Sequence, residues 1–232
     1  MKIHFLGTGA ADWNVENDRD ILGFRRNSSI LINDTLLVDP GACIFEFEQT
    51  FGYENLYKGV KNIVCTHKHS DHYNPDTVSR LGLEVTELSL FEPTEVGEFI
   101  ITALPANHST AEDPRHLIIE EKSTGKRFFY GLDGAWLKYE TAKYMRQFKF
   151  DIMLFDATLG NKDDLGGILD YRIFEHNSLE MAELLCNTFK PNCSLFYISH
   201  MAKTLHRNHE ALSAYMAPKG IYVAYDNHVV NV

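Results

Sequence analysis

The sequence predicts helices packed on sheets, an α/β or α+β layered fold, and three observations lead there. Short runs rich in Ile, Val, Phe and Tyr, bounded by Gly, Pro, Asn or Asp, alternate with segments of helical period along the chain. At 232 residues the chain can bury most of its unfolded surface without a disulfide or a structural metal. Four expected strands each end just before a potential metal ligand, His67, His108, Asp133 or His200, as a layered sheet fold requires if it gathers distant residues into one site. One domain over residues 1–232 is the expectation.

The elements follow in order. Strands are expected at 2–6, 28–33 and 35–38, with Asn33-Asp34 as a hairpin turn between the last two. A helix at 43–51 precedes a strand at 62–66 and a helix at 75–81, where Pro75 occupies the first turn behind the capping residue Asn74. Strands at 99–104, 116–121 and 127–130 come next, the last two joined by the turn Ser123-Thr124-Gly125. A helix at 135–147 and a strand at 151–156 lead to a helix at 178–189 that places Leu179, Ala182, Leu185, Cys186 and Phe189 on one face. A strand at 194–199, a helix at 209–216 and a strand at 221–225 complete the series, with no repeat, low-complexity segment or linker.

Composition narrows the function classes. Hydrophobic residues make up 44% and charged residues 23%, as in a soluble globular protein. The balance of 22 basic against 32 acidic residues, net -10, counts against a broad phosphate-binding face, although Arg25-Arg26 offers a local basic spot. A small-molecule substrate is favoured, nucleic acid is disfavoured but left open, and the oligomeric state is open, a homodimer included. Cys43, Cys65, Cys186 and Cys193 form no C-x-x-C pair and suggest no disulfide framework. The start of the chain turns polar too soon for a signal peptide, and no apolar run approaches the ~20 residues of a membrane helix, so the expectation is a cytoplasmic protein without a membrane partner.

The chemistry concentrates in Thr66-His67-Lys68-His69-Ser70-Asp71-His72. Imidazole and carboxylate are preferred ligands of zinc, manganese and iron. Four such side chains in six residues are too crowded for one ion, and alternation along the loop would send His67 and His69 to one side and Asp71 and His72 to the other. Two metals ~3.5–4 Å apart would suit that split. Taken singly, His108 and His200 read as hydrogen-bonded histidines near strand ends and Asp133 as a turn residue. Gly7-Thr8-Gly9 is a tight turn rather than a nucleotide fingerprint, since Asp12 stands where a third glycine would be. Cys65 reads as core, and His4, His206 and His209 as surface or strand-face residues. His116 and His228 would line the substrate pocket only on a less simple reading, and Tyr171, Arg172 and Lys203 are candidate phosphate contacts with no motif behind them.

His67-x-His69-x-Asp71-His72 resembles the H-x-H-x-D-H signature of the metallo-β-lactamase superfamily. Leu37-Val38-Asp39-Pro40-Gly41, Asn107-His108-Ser109, Leu132-Asp133-Gly134 and Ser199-His200-Met201 resemble its other motifs in order and approximate spacing. The resemblance implies a four-layer αβ/βα sandwich of two mixed sheets with helices on the outer faces. It implies two divalent ions, zinc or manganese with iron as a further candidate. His67, His69 and His108 would hold one ion, Asp71, His72 and His200 the other, and Asp133 would bridge, with Asp39 orienting ligands from behind. A hydroxide between the ions would be the nucleophile.

Phe155-Asp156-Ala157-Thr158 and His176-Asn177-Ser178 resemble a pair of features in ribonuclease Z-like members, and by that likeness Asp156 would hold His176, the general acid. Asp156, His176 and Asp71 are thus the expected catalytic residues. Phe5-Leu6-Gly7-Thr8-Gly9-Ala10-Ala11, Arg26-Asn27-Ser28-Ser29 and Tyr225-Asp226-Asn227-His228 are similar to the cyclic-phosphate phosphodiesterases of carbon–phosphorus lyase pathways. Pro75 departs from that pattern, where a glycine is expected, and so does the absence of cysteine from residues 8–27. The implied function is a dinuclear phosphodiesterase acting on a small or cyclic phosphodiester. A ribonuclease Z-like nuclease, a lactone or thioester hydrolase and a non-enzymatic metal-binding protein are the alternatives, in that order.

Overall fold

A computed structural model describes residues 1–161 and 171–232. Every strand read from the sequence is present, its ends shifted by a residue or two. β1 (Lys2–Gly7), β2 (Ser29–Ile32), β3 (Leu36–Val38) and β4 (Asn62–Val64) lie side by side, antiparallel except for the parallel β3–β4 pair. The hairpin between β2 and β3 turns through Asn33 and Asp34 at φ 48° and 60°, the left-handed values that a tight primed turn requires. The second sheet is seven-stranded, in the order β11-β10-β9-β8-β7-β6-β5. It consists of β5 (Pro93–Val96), β6 (Phe99–Pro105), β7 (Arg115–Glu121), β8 (Arg127–Gly131), β9 (Ile152–Asp156), β10 (Phe196–Ser199) and β11 (Ile221–Val223). β5 to β8 are antiparallel, and β8 to β11 are parallel. The last strand, β12 (Val229–Asn231), returns to the first sheet and pairs with β1.

Alternation along the strands assembles four layers. Ile3, Phe5, Ile30, Ile32, Val38 and Val64 of the first sheet share one core with Phe99, Ile101, Leu117, Ile119, Phe128 and Leu154 of the second, which is the interior between the sheets. The residues between them in sequence, Leu31, Leu37 and Ile63, face the other way, onto Ile44 and Phe47 of α2 (Ile44–Thr50) and Leu81 of α3 (Pro75–Leu81). On the far side, Ile118, Phe129, Met153 and Phe155 pack on Met145 of α4 (Tyr139–Met145), on Leu179, Ala182, Cys186 and Phe189 of α5 (Leu179–Phe189), and on Leu212 and Met216 of α6 (His209–Met216). The implied four-layer αβ/βα sandwich of two mixed sheets is therefore the observed architecture. The central strands are buried on both faces, which is why they read as nearly unbroken apolar runs.

Local chemistry ends the helices where expected. Asn74 accepts a hydrogen bond from the Thr77 amide at 2.8 Å, Pro75 opens α3, and Gly82 closes it at φ 66°. Ser178 caps α5 and Asn208 caps α6. Besides short 3-10 turns, two strands and one helix among the described residues escaped the sequence reading. β5 and β12 are short edge strands, one opening on a proline, and carry little alternation. α1 (Val15–Asp18) is a single polar turn capped by Asn14. The expectation of a helix from 135 is corrected: α4 begins at Tyr139, because Trp136 sits at φ 57° and donates its amide to Asn177 Oδ1 at 2.7 Å. That tertiary contact overrides helical propensity.

Several side chains also differ from expectation. Arg25 and Arg26 form no basic surface spot, since both are buried. Arg25 donates to Thr8 Oγ1 and the Ala224 carbonyl, and Arg26 pairs with Glu46 and Asp226, tying the 8–27 segment to the C-terminal region. His4 lies on a strand face but is buried, edge-on to Phe47 and Tyr53, with Nε2 2.8 Å from Asn227 Oδ1. Lys203 pairs with Asp18 at 2.8 Å. The four cysteines are free, and Cys65 stands just past β4, half-buried, its thiol donating to the His67 carbonyl. No helix among the described residues is long and apolar enough to cross a membrane.

Candidate metal centre

The strand directions explain how the site residues meet. β3 and β4 are parallel, and β6, two antiparallel steps from β8, runs the same way as β8, β9 and β10. Asp39 follows β3, the His67–His72 loop follows β4, His108 follows β6, Asp133 follows β8, Asp156 ends β9 and His200 follows β10. All of them therefore leave C-terminal strand ends at one edge of the sandwich. Asp39, Asp133 and His200 reach their positions with left-handed backbones, at φ 57°, 50° and 65°. That conformation costs roughly 1–2 kcal/mol for a residue with a Cβ. Residues with a Cβ adopt it uncommonly, and such positions cluster at functional sites.

Among the described residues three groups of potential ligands result, the third being Asp133, Asp156, His176 and His200. His67, His69 and His108 offer nitrogens within 4.8 Å of one another, and so do the donor atoms of Asp71, His72, Asp133 and His200. The split along the loop is the one expected from alternation. Asp133 spans the groups: its Oδ2 lies 2.7 Å from His72 Nε2 and 3.2 Å from His67 Nε2, and its Oδ1 lies 3.2 Å from His200 Nε2.

Each histidine has one nitrogen backed by the protein and the other turned inward. His67 Nδ1 meets Thr66 Oγ1 at 3.0 Å, His72 Nδ1 meets Asp39 Oδ2 at 2.8 Å, and His200 Nδ1 meets Thr158 Oγ1 at 2.7 Å. His108 Nδ1 faces the Glu175 carboxylate at 3.2 Å, and His69 Nε2 faces the Thr110 carbonyl at 3.3 Å. The inward nitrogens crowd together, His72 Nε2 against His200 Nε2 and His69 Nδ1 against His108 Nε2, each pair at 3.2 Å. His67 Nε2 and Asp133 Oδ1 are buried and make no aligned hydrogen bond. Lone pairs converging on a common point, with the opposite nitrogens held from behind, are what divalent cations require of imidazole ligands. The donor set thus fits divalent-cation binding.

Asp39 is wholly enclosed. Its carboxylate accepts from His72 Nδ1, the Tyr130 hydroxyl at 2.9 Å, the Thr66 amide at 2.7 Å and the Thr66 hydroxyl. Burial pushes the Asp133 carboxyl up, but His200 and His72 outweigh that and hold it well below the usual carboxylate range. Burial likewise opposes charge on His72, and Asp133, Asp71 and Asp39 reverse it, so that its pKa lies well above the ordinary value. Negative charge is concentrated where cations would sit.

His176 and Asp156 stand at the rim of this arrangement. His176 Nδ1 lies 3.2 Å from Asp156 Oδ2, 3.1 Å from Thr158 Oγ1 and 3.3 Å from Asp133 Oδ1. Burial lowers the His176 pKa, but Asp156 and then Asp133 outweigh it and carry it up to about 9. Asp156 also accepts from the Asn177 amide at 2.9 Å and the Thr158 amide at 3.0 Å, which fixes its orientation. His116 and His228 stay off the inward-facing set. His116 is fully enclosed below the Asp133-Gly134 turn, where a Cβ on Gly134 would lie 2.7 Å from its Nε2, and His228 stacks on Tyr225 with ring centroids 4.5 Å apart. Sequence reasoning missed Thr158, Tyr130 and Glu175, which back site residues from ordinary-looking positions. Thr158, two residues past Asp156, carried the only signal.

No family model matches the chain, and no curated protein does. Solved structures do. A diphosphatase of the PhnP family superposes with TM-score 0.71 at 17% identity, over 99% of this chain and 97% of that one. Zinc-bound PqqB from Methylobacterium extorquens gives 0.75 at 16% over the whole of both chains. The metallo-β-lactamase fold protein YhfI from Bacillus subtilis gives 0.72 at 14% over 99% and 98%. With the strand order, the four layers and these superpositions in agreement, the chain has the metallo-β-lactamase fold.

Proposed function

We propose that this protein is a metal-dependent hydrolase, a phosphodiesterase that cleaves a small or cyclic phosphodiester with two divalent ions, zinc or manganese, iron being a third candidate. The observation that carries the reading is the inward-facing set of His67, His69, His108, Asp71, His72, Asp133 and His200 with the His176–Asp156 pair beside it. Divalent ions there would supply Lewis acidity and lower the pKa of water to roughly 7. The chain's residues supply the rest. Asp156 and Thr158 anchor His176 through Nδ1, leaving Nε2 on a partly exposed ring to give its proton to the leaving oxygen. An alkoxide leaves poorly without that proton near neutral pH, and the Asp156 carboxylate against Nδ1 favours the protonated ring. The diphosphatase neighbour supports phosphorus chemistry for the site.

The test joins metal content to a substrate panel. Two ions per chain are expected, with turnover of bis-p-nitrophenyl phosphate and of at least one cyclic phosphate after zinc or manganese is restored. Replacing His176 by Ala is expected to slow alkyl phosphodiesters by roughly 10²–10⁴-fold and p-nitrophenyl esters far less, because p-nitrophenolate leaves without a proton. Equal loss on both leaving groups would remove the general-acid role. One ion per chain, bound in an Asp133→Ala variant as in the parent, would contradict the bridging arrangement.

A further inference from the structure

Glu175 makes contacts that the proposed chemistry has not used. Its carboxylate lies 3.2 Å from His108 Nδ1, and its carbonyl oxygen lies 3.3 Å from the same nitrogen. The carboxylate also accepts from the Ser109 hydroxyl, from the Thr110 hydroxyl at 3.2 Å and from the Thr110 amide at 3.3 Å. One residue thereby fastens the whole His108-Ser109-Thr110 stretch. The Thr110 carbonyl in turn faces His69 Nε2. Two of the three ligands in the His67–His69–His108 group are therefore held, directly or through Thr110, by Glu175.

Glu175 is also the residue immediately before His176. The short turn Tyr171–Phe174 leads into the pair, and the Glu175 and His176 amides both bond the Arg172 carbonyl at 2.8 Å. The side chain of Glu175 thus points to one half of the centre while its neighbour meets Asp156 and Asp133. The other backing groups, Thr66, Asp39 and Thr158, lie at strand ends behind the ligands and are buried. Glu175 is partly exposed, with a carboxylate that reaches in from another segment of chain.

We propose that Glu175 is a positioning residue that couples the three-histidine half of the centre to the general acid: by accepting from His108 Nδ1–H it turns His108 Nε2 inward, and the same contact seats His176. This rests on the reading of the site as a two-metal centre. Carboxylate partners of metal-bound imidazoles typically contribute about 10–100-fold in metal affinity. The three-histidine position should feel the loss directly, since Glu175 bonds His108, Ser109 and Thr110 and reaches the other group only through its neighbour His176.

The experiment uses the full chain with Glu175→Ala and Glu175→Gln, and zinc as the probe. Competition against a chromophoric chelator should show one of the two ions weakened about 10–100-fold in the Ala variant and the other unchanged, with Gln falling between. In the zinc-free protein, 15N spectra should show His108 losing its preference for the Nδ1–H tautomer, a signal that a purely structural role would not move. In the loaded protein, turnover of an alkyl phosphodiester should fall more than that of its p-nitrophenyl counterpart. A folded Ala variant with both zinc affinities and the His108 tautomer unchanged would overturn the proposal alone. A parent chain that takes up no zinc would overturn it together with the functional reading.

Discussion

The two halves of the candidate centre use similar ligands in different settings. Asp71, His72, Asp133 and His200 are all buried and include two carboxylates; Asp39 backs His72, itself held by Tyr130, and Thr158 backs His200. His67, His69 and His108 are three imidazoles, His69 is half-buried, and two of their supports come from Glu175 and the Thr110 backbone on loops. Both halves lie at the same strand-end edge and six of the seven side chains are buried, so the halves differ in the half-buried His69 and in the loop-borne support from Glu175 and Thr110. The contrast suggests that one half contributes to the protein's stability while the other can change without unfolding it.

That contrast can be broken by mutation. Asp39→Ala would leave His72 Nδ1, the Tyr130 hydroxyl and the Thr66 amide buried without their acceptor. Removing one partner of a buried, hydrogen-bonded charge pair costs about 3–5 kcal/mol. A urea titration should show that loss, and a loss under 1 kcal/mol would refute the idea that this half is structural.

Acid should find the same half. His116 lies under the Asp133-Gly134 turn, and burial pushes its pKa down to about 4 from an ordinary 6.5. The unfolded chain then binds the proton first, so stability is complete above pH 6.5 and declines as pH falls toward 4, by about 3 kcal/mol across that window. His4, also lowered chiefly by burial, adds in the same direction. Replacing His116 with Leu should flatten the acid limb of a stability–pH curve, and an unchanged slope would show that His116 does not set it. The smallest effect belongs to the other half. His69→Ala should change stability by no more than about 0.5 kcal/mol, as for a partly exposed side chain, while removing one metal equivalent; a larger loss would erase the distinction between the halves.

Much of this was legible before the fold was seen. The β4 loop motif, His108, Asp133 and His200 could be placed at strand ends because apolar runs stop just before them, and the structure gathers all of them. The helix face Leu179, Ala182, Leu185, Cys186 and Phe189 is buried as its period implies. Edge strands β5 and β12 were not legible, since a short strand exposed along one edge needs no apolar pattern. The early part of the expected 135–147 helix failed for a different reason: the Trp136–Asn177 contact joins residues 41 apart and leaves no local trace. The same holds for Tyr130, whose hydroxyl reaches Asp39 across 91 residues, and for Glu175 on His108.

The sequence by itself determined the kinds of ligand, their order along the chain and their attachment to strand ends, because hydrophobic patterning and short motifs are local properties. Only the tertiary structure decided which nitrogen of each ring turns inward and which distant groups, Tyr130, Thr158 and Glu175 among them, stand behind the site residues. Those choices depend on contacts such as His72 with His200, 128 residues apart, that exist only once the two sheets have closed on each other.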